Sequence, residues 1–545
     1  MRFNGLTIAA VSLASLLALI CAIPAATAVE WTYTVKPGDN PWNITTRMLA
    51  GIQYWPRIQA LNDIRDPLHM PPGMRLRIPQ EWLRPQTVTA RVATMRGDAT
   101  LTRASDGSTI ALQAGAVLAT GDLVRTATQT SVTLEFGDGS RVLVHPESAL
   151  RLTSLRRFQN TPLYETELHL ESGRVENEVR PLGGEPGRFE ITTPAAITSV
   201  RGTDFRIGAE DAATLAEVTE GGVGVTAASN RVDVPAGFGT KAVANEPPRP
   251  PVQLLPAPAT DDIPTLFERR NAAMVVPTVA GAAGYRLQVA PDGAFNQLLQ
   301  NDTFTTPTLR LGNLADGDYV LRLRAIDAQG IEGLNADHVF RLNAIPEPPL
   351  VIAPAPGAIL TDERPAMRWA ESVDNPSYHL QLATDDAFND LVLDVENIAQ
   401  PAFTPADALA PGIYYWRLQA TTANDGTGPF GDAQQFRRIP PAPGLSAPEI
   451  AAKEMVVRWQ AGDEGDRYEF QLARDEDFDR IIVSEMAATP GITLPRPRHG
   501  TYYMRVRTLF ADGIEGPFGT PQKMQVPVKP VPGWAIILPF FLFLL

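Results

Sequence analysis

Tyr285-Arg286-Leu287-Gln288-Val289-Ala290 returns as Tyr378-His379-Leu380-Gln381-Leu382-Ala383 and again as Tyr468-Glu469-Phe470-Gln471-Leu472-Ala473. Apolar and polar residues alternate in each copy, the period of a half-buried strand. An acidic turn and Phe295, Phe388 or Phe478 follow. Further on, Gly317-Asp318-Tyr319, Gly412-Ile413-Tyr414 and Gly500-Thr501-Tyr502 each open another strand. The copies close on Glu332-Gly333, Pro429-Phe430-Gly431 and Pro517-Phe518-Gly519. A unit of about ninety residues, repeated three times with strand alternation, predicts an array of β-sandwiches over 250–345, 346–439 and 440–528. Trp369 and Trp459, nine residues before their tyrosines, are expected core anchors; the first repeat has Val276 there and diverges. The acidic run Asp475–Asp479 lacks the alternating ligands and glycine of a calcium loop, so it reads as a solvated turn, and no metal site is expected.

Upstream, residues 95–243 hold short alternating runs punctuated by glycine. Among them are Gly121-Asp122-Leu123-Val124-Arg125-Thr126, Leu168 to Val175, Phe189 to Pro194 and Val200-Arg201-Gly202-Thr203-Asp204-Phe205. Asp138-Gly139 stands between two such runs, a hairpin signal. The stretch predicts an all-β domain. Arg201 and Asp204 read either as a paired exposed motif or as a strand-end ion pair and turn.

Residues 31–79 are built differently. Tyr33-Thr34-Val35-Lys36-Pro37-Gly38-Asp39-Asn40-Pro41-Trp42-Asn43-Ile44 runs from a strand through a turn into a helix that Asn40 or Asp39 can cap, with Pro41 in its first turn. Trp55, Ile58 and Leu61 recur on one face of a second helix, and Pro71 to Pro79 reads as a turn and return strand. The prediction is a small βααβ unit.

This unit resembles a LysM domain, with its YxVxxGDxxWxI opening and PGxxLxIP close; Asn40-Pro41 departs from the usual hydroxyl residue and Leu. The resemblance implies binding of N-acetylglucosamine chains of peptidoglycan between two loops. By position these loops are Gly38, Asp39, Asn40, Pro41 and Leu61, Asn62, Asp63, Ile64. Loop amides would meet acetamido and hydroxyl groups, with Leu61 and Ile64 covering sugar faces. Residues 95–243 resemble a FecR-type domain through GDxVxT, FxDGSxxxxxPxS, LxSGxV and VRGTxF segments in that order. That resemblance implies a protein partner in the envelope. The three repeats resemble bacterial fibronectin type III-like domains.

The chain's ends bear on compartment. Arg2, an apolar stretch from Leu6 to Ile20 and Ala25-Ala26-Thr27-Ala28 have the order of a secretory signal peptide over 1–28. The rival reading, a lipidated Cys21, fits poorly behind Ile20. Cys21 is the one cysteine of the chain, so cleavage after Ala28 leaves neither disulfide nor thiol. The expected place is the periplasm or cell envelope of a Gram-negative bacterium. Trp534 to Leu545 is apolar but, at about 1.5 Å per helical residue, too short for a bilayer core of about 30 Å. It reads either as a membrane-associating tail or as a greasy strand. The 49 prolines crowd at 247–251, 346–356, 440–448 and 527–532, which read as inter-domain spacers.

Composition narrows the function. A net charge of −14 with no Lys/Arg cluster argues against nucleic acid. The six histidines (69, 145, 169, 338, 379, 499) are scattered, no GxSxG or HExxH occurs, and no segment is left to house a hydrolase. The chain reads as a multidomain, predominantly all-β protein without cofactor. It is expected to be a non-enzymatic binder of peptidoglycan that presents β-domains for structural or protein-interaction roles. The alternatives are a periplasmic signal-sensing protein of FecR type and a cell-wall hydrolase or its accessory.

Overall fold

Period-two burial runs through almost every element of the protein. A computed structural model describes residues 30–180, 187–200, 202–210, 212–371 and 376–528. The expected signal segment with Cys21, the apolar tail 534–545 and Arg201 lie outside the described residues. The chain divides into two units between Leu342 and Asn343.

The first unit opens with a βααβ module. Strand β1 (Glu30–Thr34) pairs antiparallel with β2 (Arg75–Pro79), Thr32 opposite Arg77. Between them lie α1 (Pro41–Met48) and α2 (Trp55–Leu61). Asn40 caps α1: its side chain accepts from the Asn43 amide at 2.9 Å, and the Asn43 side chain accepts from the Asn40 amide at 3.0 Å. Ile44, Met48, Trp55, Ile58, Leu76 and Ile78 make the core, while Leu61 is half-buried. The core does not stop at residue 79. Leu83 bridges to Leu49, and Phe158 and Leu163 from the following domain complete it.

That domain consists of two β-sheets that share one long strand, Tyr164–Glu178. Its first half pairs with Ala149–Phe158 and Arg188–Thr192, its second half with Arg141–Val144 and Asp204–Glu210. Inward residues of both sheets form one aliphatic core around Val124, Leu134, Leu152, Leu170, Ile207 and Val225. Asp138-Gly139 turns between Ser131–Glu135 and Arg141–Val144, with Gly139 at φ +83°.

The proline run 247–251 is not a spacer. The Arg249 amide donates to the Lys241 carbonyl at 3.0 Å, Thr240 donates its hydroxyl to the Arg249 carbonyl, and Val252–Gln253 pairs with Phe238–Gly239. Proline-flanked chain is extended, so it lies along a sheet edge as readily as it spans a gap, wherever intervening residues supply the N–H groups.

Each repeat is a two-sheet sandwich. In the first, Gly284–Ala290 lies between Gln300–Phe304 and Gly317–Ile326, with Ala273–Val275 and Thr308–Arg310 forming the second sheet. The others follow the same plan around Ser377–Ala383 and Arg467–Ala473. Trp369 and Trp459 are buried and meet Tyr378 and Tyr468 edge-on, centroids 5.3 and 5.5 Å apart. Val276, their counterpart, is buried too. The Asp475 carboxylate accepts from the amides of Asp479 and Arg480 at 2.8 and 3.0 Å, which makes the acidic run a self-satisfied turn. Trp459→Ala is expected to cost the third repeat about 3–5 kcal/mol. Hydrogen exchange should rise in residues 449–526 and stay unchanged in 30–342.

Candidate functional site

The first expected loop is set by an ion pair between a buried carboxylate, Asp39, and the partly exposed Arg47. Asp39 is only 3% exposed at its side chain and receives the Tyr33 hydroxyl at 2.5 Å, the Lys36 amide at 2.8 Å and Arg47 at 2.7 Å. Burial opposes ionisation of Asp39, but the Tyr33 hydroxyl, the Lys36 amide and Arg47 outweigh it and hold the carboxyl below its usual value. Burial, with the bond to Asp39, pushes Tyr33 up. Gly38 takes φ +85°, and its carbonyl accepts from Asn43 at 2.9 Å. The Asp39 amide closes a turn on the Lys36 carbonyl. The polar side chains of Asp39, Asn40 and Asn43 therefore bond back onto this loop and fix its shape.

The second loop is fixed from one side. Asn62 donates to the carbonyls of Ile58 and Arg77 and accepts the Arg77 amide at 2.6 Å, fastening the end of α2 to β2. Asp63 is exposed at φ +52°. Ile64, expected to cover a sugar face, is 6% exposed and belongs to the core; its side chain anchors the loop. Arg77 faces Thr32 at the middle of β1, whose C-terminal end leads into the Gly38 loop, so the same two-stranded sheet anchors both loops. Among the described residues no hydrogen bond joins them.

Trp42 had no place in the expected set, yet it is 72% exposed directly after Pro41. The signal was available: Trp42 precedes Ile44 by two residues, roughly 200° around a helix, so it points away from the face that Ile44 and Met48 bury. Gly38, Trp42 and Asp63 are exposed and Leu61 is half-buried, while the side chains of Asp39, Asn40, Asn62 and Ile64 are engaged in holding the two loops.

The module is fastened to the domain that follows it. Asn160 donates to the Arg47 carbonyl at 2.8 Å, and the Arg84 amide donates to Met48. From Leu163, inside the module's core, the strand Tyr164–Glu178 leads to a second site that sequence reading missed. Here the two-sheet domain meets the first repeat through buried charges. Glu332 of the repeat is fully buried among Arg174, Arg206, Arg286 and Arg324. Arg324 also grips Glu176 with two bonds of 2.8 Å, and Arg174 bonds Glu217. Arg206 donates to the carbonyls of Glu332 and Gly333. His145 shares Glu176 at 2.8 Å and meets Asn301 of the repeat at 3.3 Å.

Burial by itself would raise the Glu332 carboxyl; Arg174, Arg286, Arg324 and Arg206 hold it well below its usual range. Glu176 is likewise held down, against burial, by Arg324 and His145. Burial lowers Arg206 to about 10, with Arg324 adding to the effect, and burial lowers His145 against the pull of Glu176. The network makes two predictions. Glu332→Gln leaves guanidiniums uncompensated and is expected to cost about 3–5 kcal/mol in the first unit, read by calorimetry. Acid should also weaken that unit. The unfolded chain protonates His145 near pH 6.5 while the folded chain resists, so stability falls as pH drops through about 6.5. Glu176 and Glu332 add a loss of the same sign below about pH 4.3. Thermal midpoints from pH 7.5 to 5.5 should fall in the wild type and flatten in His145→Gln.

Two family models match parts of the chain. The LysM domain model matches residues 33–79, and the FecR protein model matches residues 122–224. An uncharacterized protein of Treponema pallidum (strain Nichols) is 23% identical over 125 residues, which cover 22% of this chain. The chain spans 19% of the length of that curated relative. A protein of Parabacteroides distasonis ATCC 8503, assigned as an anti-sigma factor, aligns over 24% of this chain and 59% of its own, at 17% identity and TM-score 0.21. A two-domain fibronectin type III segment of chicken tenascin aligns over 33% of this chain and 99% of its own, at 14% identity and TM-score 0.23. Among the described residues no helix is long and apolar enough to cross a membrane. The chain thus carries a LysM domain at residues 33–79 and a FecR-type domain at residues 122–224.

Proposed function

We propose that this protein is a non-enzymatic component of the bacterial cell envelope that holds N-acetylglucosamine-containing glycan of peptidoglycan through its LysM domain. The observation that carries the reading is the agreement of the family match over 33–79 with a complete βααβ module whose two loops are preset by Asp39 and Asn62. Gly38, Trp42, Leu61 and Asp63 supply the contact surface, with Trp42 stacking on a sugar face. An exported protein of a Gram-negative periplasm or envelope fits this ligand.

A second reading, sensing of FecR type, is favoured by one observation. A single strand joins the LysM core beside Leu163 to Arg174 and Glu176 in the buried network, so wall engagement would load the FecR-type domain directly. In either reading the domain works through a protein partner.

Pelleting of the full chain with purified peptidoglycan, competed by N-acetylglucosamine oligomers, tests the proposal. Trp42→Ala is expected to weaken binding about tenfold, a loss of about 1.4 kcal/mol, without changing the melting profile. Wild-type pelleting by both Trp42→Ala and Gly38→Glu would remove the assigned surface. The same preparations should leave peptidoglycan uncleared in zymograms; reproducible clearing would restore the hydrolase reading.

A further inference from the structure

One segment occurs in all three repeats and meets two different fates. It reads Phe295-Asn296-Gln297-Leu298-Leu299-Gln300, then Phe388-Asn389-Asp390-Leu391-Val392-Leu393, then Phe478-Asp479-Arg480-Ile481-Ile482-Val483. Each phenylalanine has a left-handed backbone, at φ +50°, +60° and +60°. Each lies under a guanidinium, from Arg322, Arg417 or Arg505, 3.8 to 4.0 Å from the ring centroid. The backbone path and its support are the same in the three copies.

In the first repeat this segment is seated on the FecR-type domain. The Asn296 carbonyl accepts the hydroxyls of Thr94 and Thr133 at 2.7 and 2.6 Å, and the Leu298 amide donates to Ser131 at 3.1 Å. Leu298, 3% exposed, packs with Phe295 against Leu143. In the other two repeats no described residue covers the same positions. Leu391 and Val392 are 43% and 41% exposed, Ile481 and Ile482 45% and 48%. They begin edge strands, Leu391–Ile398 and Ile481–Ala487. Scattered exposed aliphatics are ordinary. Two consecutive ones, twice, at the position where the sibling repeat is buried, form a repeated surface, and an uncovered apolar edge strand is a docking template.

We propose that the second and third repeats are docking modules for a FecR-type sheet on a separate polypeptide, a face of threonine and serine hydroxyls around a leucine like the one that receives Leu298. This chain's own face is closed by its first repeat and locked by Glu332. At the position of Glu332 the later repeats carry Thr427 and Glu515, and at that of Asn335 they carry Phe430 and Phe518, whose rings stack on Arg417 and Arg505 at 4.3 and 4.1 Å. In the third repeat Arg507, counterpart of Arg324, is paired with Glu469 and Glu515 of its own repeat. Both partners of Arg507 come from its own repeat, so docking there rests on the aliphatic pair and is reversible where the first repeat's seat, held by arginines of two domains, is permanent.

The test uses the full chain as its own probe. A probe with Leu298→Asp and Glu332→Gln uncovers the FecR-type sheet, and Leu391→Asp with Ile481→Asp prevents it from pairing with itself. Hydrogen exchange at Ser131–Glu135 checks the uncovering. Sedimentation velocity should show the wild-type chain binding this probe, with affinity reduced at least about tenfold when the wild type carries Leu391→Asp and Ile481→Asp. No complex with an uncovered, otherwise protected probe overturns the proposal, as does a complex indifferent to those two substitutions. If the probe loses protection throughout the FecR-type domain, Leu298→Ser alone replaces the first pair. A photo-cross-linker at Leu391 or Ile481 of its partner must then label the 131–144 peptide; labelling elsewhere, or none, overturns the proposal equally.

Discussion

A carboxylate with no access to water must be neutralised where it stands, and Glu332 is such a carboxylate. Four guanidiniums surround it, two from the FecR-type domain and two from the first repeat. Neither side can leave without stranding buried charge, which costs more than an intact buried pair contributes. The network therefore specifies a single arrangement of the two domains more than it adds stability. It converts what is topologically a bead on a string into part of one unit ending at Leu342.

The rest of that unit hangs on the same strand that feeds the network. Tyr164–Glu178 belongs to both sheets, starts beside the LysM core and ends among the buried arginines. The LysM module is thus joined to the FecR-type domain by a shared core as well as by the chain. A glycan taken up as proposed would be held in a set orientation to that domain.

The repeats show one fold serving two ends. The third copy keeps a carboxylate, Glu515, at the position of Glu332, but there it pairs with Arg507 of its own repeat, whereas Glu332 also takes Arg174 and Arg206 from the neighbouring domain. A carboxylate satisfied within its own repeat leaves the surface open; one that draws arginines from a neighbour fixes the joint.

The sequence by itself determined the elements. Period-two alternation fixed the strands of the repeats, Trp369 and Trp459 declared their cores, and the Asn40-Pro41 cap and the helical phase of Ile44 and Met48 defined the LysM helices. These are local properties, set by residues within a few positions of one another. The same helical phase carries the signal that puts Trp42 outside the core, although the expected set left it out. Tertiary structure decided what each surface faces. Whether the prolines at 247–251 bridge a gap or follow a sheet edge depends on where the Lys241 carbonyl lies. Whether Ile64 meets a sugar or the core depends on how α2 docks. Whether Glu332 is a surface charge or the centre of an interface depends on Arg174 and Arg206, more than a hundred residues upstream. Burial and charge pairing are properties of the assembled fold, because they depend on residues that chain order keeps apart.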